Sequence, residues 1–420
     1  MSSAPQILII GINYAPERTG IGRYTGDMGA WLSGRGADVQ VVTGFPYYPD
    51  WKKRAGYRTC WFQREVLEGV KLIRCPFYVP SHPTSFKRMI QDLTFLLTSV
   101  VALTRLRFRG YEFQHIWVAS PSFLSGWAGL LAGRLFPKAK RHLHLFDLSV
   151  DAARALGMIR NRNVIRILSS YESSMMKGYH RVSTLSKGML ELIIQKGVER
   201  QRVDLLPIWV DTDRFHPTHA NPKLLRRFGI ADDRRVILYS GAVGEKQGLE
   251  SLLHMAGMAQ SSSMTELLFV IAGEGPYLQT LKIQSQRLGL SNVMFIPLLS
   301  DEDFPEMLNC AWLHLVLQRD TSGEHFMPSK LYTILSVGGL AMVTADPNSS
   351  LGRLVSDHQI AALVPANDPS LLFQRMLDML ETPESNLTLK ANARDYANHH
   401  LSRDSVLLKY WGHLFNGTNN

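Results

Sequence analysis

The stretch that decides the fold is LIIGINYAPERTGIGRYTGDMGAWL, Leu8–Leu32. An apolar run ends at Gly11, a loop carries the close pair Gly20 and Gly22, and a helical pattern begins near Tyr24. Glycines in such a loop let backbone N–H groups approach a ligand, and the N-terminus of the following helix attracts an anion. The stretch therefore predicts a strand, a turn and a helix, with a site for an anion or a sugar hydroxyl at the turn.

The same alternation continues to the end of the chain and restarts at RRVILYSGAVGEKQGLE, residues 234–250. Unbroken runs of Val, Ile and Leu are typical of parallel strands buried on both faces. We predict an α/β protein with two doubly wound Rossmann-like domains, residues 1–207 and 208–397. Because ligands bind at the carboxyl ends of such strands, two sheets that face each other would form a cleft between the domains.

Length and composition fit a soluble enzyme. The chain has 420 residues, no signal-peptide pattern and no unbroken apolar run long enough to span a membrane, which predicts a cytoplasmic protein. Cys60, Cys75 and Cys310 are too far apart in the sequence for a disulfide framework or a metal site.

Charge is divided unevenly along the chain. Residues 1–202 carry 29 basic and 13 acidic side chains, a net +16, whereas the remainder carries 17 and 23, a net −6, which together give +10. A basic first half indicates an anionic partner. Nucleic acid is not favoured, since no zinc-finger spacing, RNP-type aromatic motif or basic tail is present.

Two lysines are candidates for binding a diphosphate. Lys246 follows Gly244 at a strand-to-helix turn, and Lys330 follows Ser329 at the predicted start of a later helix. A lysine at a helix N-terminus supplies a compact positive charge beside free N–H groups. Two helix N-termini of this kind, each with its lysine, would neutralise a diphosphate leaving group without a metal if they converged on one cleft.

Other polar positions have weaker signals. The stretch HLHLFDLSVDA ends a strand with His144, Asp147 and Asp151. We predict that the histidine contacts the substrate and that the carboxylates contact an acceptor. A lone histidine is, however, more often structural. Asp211 and Asp213 resemble a metal-binding Asp-x-Asp motif, but their place on the interdomain connection favours a turn or cap, so no metal site is predicted.

Residues 85–110 form an apolar core, Leu93–Leu103, between the basic residues Lys87, Arg88, Arg105, Arg107 and Arg109. The apolar core is too short to cross a bilayer. It predicts either reversible binding to an anionic membrane surface or a helix packed in the protein core with solvated ends.

Several motifs together resemble the bacterial glycosyltransferases of family 4, particularly the fucosyltransferase type of colanic acid synthesis. They occur in order between Ile9 and Ala345: GINYAPERTGIGRYTGDM, FPYYPDW, RCPFYVP, YSGAVGEKQGLE and MPSKLYTILSVGGLAMVTA. The resemblance implies a GT-B fold, in which a C-terminal helix of about residues 398–416 returns to the first domain, and a retaining, metal-independent enzyme with an N-terminal acceptor domain and a C-terminal donor domain. It also implies a nucleoside-diphosphate sugar, with GDP-fucose suggested, and a lipid-linked oligosaccharide acceptor at the inner leaflet of the cytoplasmic membrane. No other cofactor is expected.

The resemblance also assigns roles to residues. Those assigned to catalysis are His144, Lys246 and Glu324. Those assigned to the donor and its phosphates are Gly20, Gly22, Gly244, Glu245, Lys246, Ser329, Lys330, Leu331 and Thr333. Those assigned to the nucleotide are Gly273, Gly275 and Pro297, and those assigned to the acceptor are Asn13, Tyr47, Asp147 and Asp151.

Two positions depart from the family pattern. The second Glu of the family's Glu, seven residues, Glu motif is Thr333 here, and Ala242 stands where an Arg precedes the phosphate-binding lysine. A threonine is a shorter, neutral partner for a ribose than a carboxylate. Two alternatives therefore stay open: a nucleotide-sugar epimerase of the same fold, and a non-catalytic glycan-binding or scaffold protein.

Overall fold

The computed structural model describes residues 4–17, 20–57, 61–120, 123–148, 150–151, 161–319, 328–366 and 368–415. The chain divides into two compact units. The first comprises Met1–Pro207 with Lys409–Asn420, and the second comprises Ile208–Leu408. The assignment of acceptor and donor roles to these units stays a prediction.

The first unit is built on an eight-stranded sheet with the order β3-β4-β2-β1-β5-β6-β7-β8. The strands are β1 Gln6–Gly11, β2 Asp38–Gly44, β3 Gln63–Leu67, β4 Val70–Cys75, β5 His115–Ser120, β6 Lys140–Leu145, β7 Arg181–Thr184 and β8 Val203–Leu205. Consecutive residues Ile7–Ile10 are fully buried, so helices cover both faces of the central strands. The predicted Rossmann-like fold is confirmed, with one difference: the edge strand β3 runs antiparallel to β4.

Among the described residues up to Pro207, the α-helices of this unit are α1 Gly20–Gly34, α2 Ser85–Phe108, α3 Phe123–Leu135, α4 Arg162–Lys177 and α5 Lys187–Gln195. Helix α1 begins at Gly20, four residues before the predicted start, with that glycine at a φ of +65°. Helix α2 packs against α3, and its residues Phe95, Ala102, Leu103 and Leu106 are buried in the core.

By length and composition the span Phe86–Phe108, with a mean hydropathy of 1.3, could cross a membrane. The sequence-based conclusion that the segment is too short considered only its apolar core, and it is corrected here. One face of this helix nevertheless lies in the core of the first unit.

The second unit has a six-stranded parallel sheet with the order β11-β10-β9-β12-β13-β14. The strands are β9 Arg235–Ser240, β10 Leu267–Ala272, β11 Val293–Ile296, β12 Leu313–Val316, β13 Ala341–Thr344 and β14 Ala362–Val364. Its helices are α6 Pro222–Arg227, α7 Glu250–Ser261, α8 Leu278–Arg287, α9 Asp303–Cys310, α10 Ser329–Ser336, α11 Ser350–His358, α12 Pro369–Glu381 and α13 Pro383–Tyr396.

The C-terminal segment contains a π-helical turn, Ala397–Leu401, and helix α14, Arg403–Phe415. From Lys409 onward this helix belongs to the first unit, where Trp411 is fully buried and its Nε1 donates to Met28 Sδ. The helical return begins at Arg403, later than the predicted residue 398, because the π-helical turn and Ser402 precede it.

Candidate functional site

The loop between β1 and α1 is organised by Glu17, a residue that the sequence did not single out as functional. Its carboxylate is 2% exposed, and Oε1 accepts hydrogen bonds of 3.1 Å from the backbone N–H groups of both Tyr47 and Tyr48. Oε2 accepts from Asn13 Nδ2 at 3.0 Å. Burial raises the pKa of Glu17, which these hydrogen bonds oppose. The loop is thus fixed by one carboxylate, whose backbone partners lie 30 and 31 residues away in the sequence.

The glycines of α1 make room for this loop. A Cβ on Gly22 would lie 2.3 Å from Glu17 Oε2, one on Gly26 2.6 Å from Ala15 Cβ, and one on Gly29 2.1 Å from the Tyr14 hydroxyl. These distances are too short for any side chain, so the loop can lie across the helix only because the three positions are glycine. The close approach at Gly22 is to Glu17, and its contact with a donor stays a prediction.

Two residues assigned to the acceptor, Asn13 and Tyr47, are brought together at this loop. Asn13 donates to Glu17, and it also forms a hydrogen bond with Tyr47 that favours the ionised phenol. Burial outweighs this bond and raises the pKa of Tyr47. Both side chains are less than 10% exposed. Asn13, Glu17 and Tyr47 therefore form one hydrogen-bonded group, which we name the Glu17 cluster.

His144 lies elsewhere, in the interior of the first unit. Its ring is 2% exposed, stacks on Trp117 at a centroid distance of 5.4 Å, and places Nδ1 3.0 Å from Ser183 Oγ. Burial lowers the pKa of His144 to about 3, so the imidazole is neutral at physiological pH. This environment is that of a structural histidine, and it gives no support to the predicted contact with a donor sugar.

The two aspartates that follow His144 have different environments. Asp147 is exposed. Asp151 forms an ion pair with Lys196 Nζ at 2.8 Å, and the same ammonium pairs with the buried Glu172 at 2.9 Å. The acceptor role of both aspartates stays a prediction, and Asp151 is already part of a three-residue ion-pair network.

In the second unit, two predicted glycine turns lie against each other. Gly241 N–H donates to Ala272 O at 2.9 Å, and Val243 N–H donates to Glu274 O at 2.8 Å. A Cβ on Gly273 would lie 1.9 Å from Gly241 O, so only glycine permits this contact. The turn after β10, predicted to lie beneath the nucleotide, is thus joined to the turn after β9.

Lys330, in the first turn of α10, reaches back over this pair of turns. Its Nζ lies 3.7 Å from the centroid of the Tyr239 ring, and a Cβ on Gly241 would meet the same Nζ at 3.3 Å. The ammonium is buried and has no hydrogen-bond acceptor among the described residues. Burial, and secondarily the charge of Lys246, lower the pKa of Lys330 to about 7. A buried ammonium without an acceptor is costly, and perturbed groups of this kind are concentrated at functional sites, so Lys330 is a candidate for binding an anion.

Lys246 lies in a 3₁₀ turn, Glu245–Gln247, between β9 and α7. Its side chain is exposed, and its charge acts on Lys330. The two lysines predicted to hold a diphosphate are therefore close enough to repel each other. An anion bound between them would remove this repulsion.

Arg319 holds the Lys246 turn in place, and sequence reasoning missed it. Its backbone N–H donates to Lys246 O at 3.0 Å, while its guanidinium pairs with Glu245 at 3.2 Å and Glu250 at 2.7 Å. Tyr277 OH donates to the same Glu250 carboxylate. The only sequence signal was the basic residue itself, at the end of an apolar run.

The remaining predicted donor residues are placed as follows. Ser329 and Pro297 are exposed, Leu331 is buried in the core, and Thr333 Oγ1 donates to Lys330 O at 2.9 Å. The Thr333 hydroxyl is thus bonded to the preceding turn of its own helix. Glu324 lies outside the described residues.

Among the described residues, no group of three or more His, Cys, Asp or Glu side chains is arranged to hold a metal ion. Asp211 Oδ1 accepts from the N–H groups of Asp213 and Arg214, at 3.2 and 3.1 Å. The predicted turn-capping role of Asp211 is confirmed by these bonds.

Comparison with protein families gives matches over most of the chain. The model for a glycosyl transferase 4-like domain matches residues 19–209, and the model for glycosyl transferases group 1 matches residues 221–396. The first match covers most of the first unit and ends two residues into the second, and the second match lies within the second unit.

Known relatives and solved structures agree with these matches. The putative colanic acid biosynthesis glycosyl transferase WcaI of Escherichia coli K12 is 35% identical over 96% of this chain and 98% of its own. A GDP-mannose-dependent α-(1-6)-phosphatidylinositol monomannoside mannosyltransferase of Mycolicibacterium smegmatis is 25% identical over 71% of this chain and 69% of its own. The crystal structure of Anabaena HepE in complex with UDP has a TM-score of 0.70 at 14% identity, covering 97% of this chain and 99% of its own.

Proposed function

The chain belongs to the glycosyltransferase family of WcaI, with the group 1 domain in its second half, and on this premise we propose that it transfers a sugar from a nucleoside diphosphate to a lipid-linked exopolysaccharide intermediate. The transfer retains the anomeric configuration and needs no metal. The biosynthetic route is that of colanic acid or a similar polymer, as the name of WcaI suggests.

The observation that carries this proposal is the pair Lys246 and Lys330. Lys330 has a buried ammonium with no acceptor among the described residues, and the charge of Lys246 contributes to lowering its pKa. Lys246 lies in the connection after β9, and the Lys330 ammonium reaches Gly241 at the carboxyl end of the same strand, which is where ligands bind in this class of sheet. A nucleoside diphosphate supplies the missing negative charge, and the paired turns at Gly241 and Gly273 place backbone beside it.

The same pair supports catalysis. When the sugar leaves, negative charge develops on the diphosphate, and fixed cations stabilise that charge without reorganisation. In the retaining reaction that we propose, the departing diphosphate accepts the proton of the acceptor hydroxyl on the face where the new bond forms. Lys246 and Lys330 then take the role that a metal ion has in other transferases.

Two features support a lipid-linked acceptor at a membrane surface. The mannosyltransferase relative acts on a phosphatidylinositol mannoside according to its name. In this chain, one face of α2 exposes an apolar stripe, formed by Phe86, Met89, Leu93, Leu97, Val101 and Phe108, with exposed fractions from 43% to 86%.

Basic side chains stand at both ends of this α2 stripe: Lys87, Arg88, Arg105, Arg107 and Arg109. An exposed apolar stripe between clusters of cations fits a bilayer surface that contains anionic lipids. We therefore propose peripheral attachment to the inner face of the cytoplasmic membrane through α2. The exposure of the stripe favours membrane attachment over the alternative that α2 is a helix fully packed in the core.

Sugar transfer in the presence of a chelator tests the proposed function. Purified protein is incubated with membranes that contain lipid-linked precursors and with labelled GDP-fucose, GDP-mannose or UDP-glucose. We expect one donor to label the lipid fraction with retention of anomeric configuration, and Lys246→Met to abolish labelling. A soluble epimerised sugar nucleotide would indicate the epimerase instead, and binding without turnover would indicate a non-catalytic protein.

A further inference from the structure

The donor chemistry described above does not use the ion-pair network in the interior of the first unit. Its centre is the ammonium of Lys196, which lies 2.8 Å from Asp151 Oδ2 and 2.9 Å from Glu172 Oε2. The side chains of Lys196 and Glu172 are only 12% and 3% exposed, and that of Asp151 is 28% exposed. One cation is thus shared by two carboxylates in a largely buried place.

Two consecutive residues of α4, Glu172 and Ser173, hold Lys196. The Glu172 carboxylate pairs with its ammonium, while Ser173 Oγ donates to its backbone oxygen at 2.6 Å. Lys196 directly follows α5, and its own N–H donates to Leu192 O at 3.0 Å. The ammonium is therefore fixed both from α4 and from the end of α5.

The same network holds the chain that follows β6. The N–H of Val150 donates to the Glu172 carboxylate, and the next residue, Asp151, forms the ion pair with Lys196. Two consecutive residues after β6 are therefore attached to α4 and to the end of α5 through Glu172 and Lys196, which we name the Glu172–Lys196 pair.

Asp147 lies between β6 and this attachment. It is exposed, whereas Leu148 and Val150 are both buried. Strand β6 ends at Leu145, so Asp147 lies at the carboxyl end of a parallel strand, where ligands bind in sheets of this kind. The place of the Asp147 carboxylate depends on how the chain on either side of it is held.

Stability alone does not account for a network of this kind. Burial removes water from charged groups, and their mutual attraction offsets that cost only in part. Burial also raises the pKa of Glu172, which the Lys196 ammonium opposes. Apolar side chains of similar volume often fill such a space with equal or greater stability. The charges are better explained by a role in fixing one arrangement of the attached chain.

We propose that Glu172 and Lys196 are positioning residues for sugar transfer. They hold the chain that follows β6, and through it they place the Asp147 carboxylate for contact with the acceptor hydroxyl. A displacement of about 1 Å at such a contact can lower the rate about 100-fold, even when its cause lies far from the chemistry. This inference rests on the proposed function, because the acceptor is a substrate of that reaction.

Replacement of the Glu172–Lys196 pair by apolar side chains tests the inference in the full-length protein. The acceptor probe is the detergent-extracted lipid fraction of the membranes used in the transfer assay, titrated at a saturating concentration of the active sugar nucleotide. For E172L/K196M we expect kcat/KM for this acceptor to fall about tenfold or more. The donor KM should change less than about twofold, and the melting temperature should be no lower than that of the wild type.

A double-mutant cycle shows whether the pair acts through Asp147. D147N should lower the acceptor kcat/KM, and adding E172L/K196M to D147N should cause little further loss, because the carboxylate to be positioned is already absent. K196R, which keeps a cation between the two carboxylates, should retain most of the activity. The matched control is R181M/D204L, which removes another ion pair of the same unit and should leave the acceptor kcat/KM unchanged.

Three results overturn the inference. They are an acceptor kcat/KM of E172L/K196M equal to that of the wild type, effects of D147N and E172L/K196M that add, and a melting temperature of E172L/K196M below that of the control, since the network would then serve stability.

If the wild type transfers no sugar from any donor, the proposed function fails instead. Hydrogen exchange of the peptide that contains Asp147 and Leu148 then tests the positioning by itself. Faster exchange in E172L/K196M supports the positioning of this chain, and unchanged exchange overturns it.

Discussion

The ammonium of Lys330 lies 3.7 Å from the centroid of the Tyr239 ring, which connects the start of α10 to the end of β9. The ring face attracts the cation, and it compensates in part for the water that burial removes. The Tyr239 hydroxyl itself donates to Ala242 O at 2.6 Å, within the turn that leads to Lys246. One tyrosine thus orients both the buried lysine and the turn that carries the other.

Nucleotide binding should draw a proton from solution. The pKa of Lys330 is lowered to about 7 in the protein alone, so the amine is mostly neutral at about pH 8. A bound diphosphate should raise this pKa, because its negative charge favours the ammonium. Calorimetry in two buffers with different ionisation enthalpies should show uptake of up to about one proton. Lys330→Arg, which stays charged, should bind without uptake; identical enthalpies in both buffers for the wild type would contradict the assignment.

The protein without nucleotide should be more stable when this charge is removed. Because the pKa of Lys330 in the folded protein lies below the ordinary lysine value of about 10.5, the unfavourable contribution of its charge is complete below about pH 7 and is lost as the pH rises toward 10.5. Lys330→Met should raise the free energy of unfolding by roughly 1 to 3 kcal/mol near pH 6. Chemical denaturation across this pH range measures the difference, and a constant or reversed difference would count against burial of the charge.

Gly22 should not tolerate a side chain. Gly22→Ala places a Cβ 2.3 Å from Glu17 Oε2, so either the loop or the helix must shift. We expect a loss of roughly 1 to 3 kcal/mol in the free energy of unfolding. Gly34→Ala is the matched control on the same helix, since no atom lies within 4 Å of its Cβ; it should be neutral or stabilising. Equal effects of the two substitutions would refute this account of the glycines.

The glycine pattern itself was readable in the sequence, but its physical reason was not. Glu17 contacts backbone groups of Tyr47 and Tyr48, and no local pattern links residues that are 30 positions apart. The long apolar strands were predicted because both faces are buried. The strand β14, Ala362–Val364, was missed because three residues carry no measurable period.

The positions of the predicted site residues in the fold could likewise be predicted only in part. Lys246 and Lys330 follow strand ends and helix starts, which local sequence reveals, and the structure places them together. The environment of His144 depends on Ser183, whose hydroxyl lies 3.3 Å from Tyr410, 227 residues further along the chain. The burial of His144 depends on this long-range packing, and no local sequence pattern indicates such packing.

Arg319 should act on nucleotide affinity through the Lys246 turn. Arg319→Ala removes the ion pairs with Glu245 and Glu250 and should weaken nucleotide binding about tenfold, because the turn loses its anchor. Arg375→Ala is the control, since it breaks an exposed ion pair with Asp378 in the same unit. A positioning role requires that the donor KM rises while the melting temperature changes as little as in the control. Unchanged KM would exclude the role.

Membrane attachment should depend on both parts of the α2 surface. Replacing its basic residues by glutamine should weaken binding of the protein to vesicles that contain anionic lipid. The binding free energy should fall by about 1 kcal/mol for each cation near the surface. The residues to replace are Lys87, Arg88, Arg105, Arg107 and Arg109. L93Q/L97Q should weaken binding to neutral and anionic vesicles alike, because it removes apolar contact.

The control for this membrane experiment replaces the same number of exposed cations elsewhere in the first unit: Arg134, Lys138, Lys140, Lys177 and Lys187. Vesicle sedimentation then separates a local surface from a general effect of net charge. If the control variant loses binding to the same extent, α2 is not the attachment site.

Calorimetric titration of GDP, UDP and ADP in the presence of a chelator tests the central claim most directly, with wild type and Lys330→Met compared. The account predicts that one nucleotide binds without metal and that Lys330→Met weakens it roughly 10- to 100-fold, the loss of one charge-assisted contact. Absence of binding by any nucleotide, or equal affinity of the wild type and the variant, would contradict the two-lysine diphosphate site.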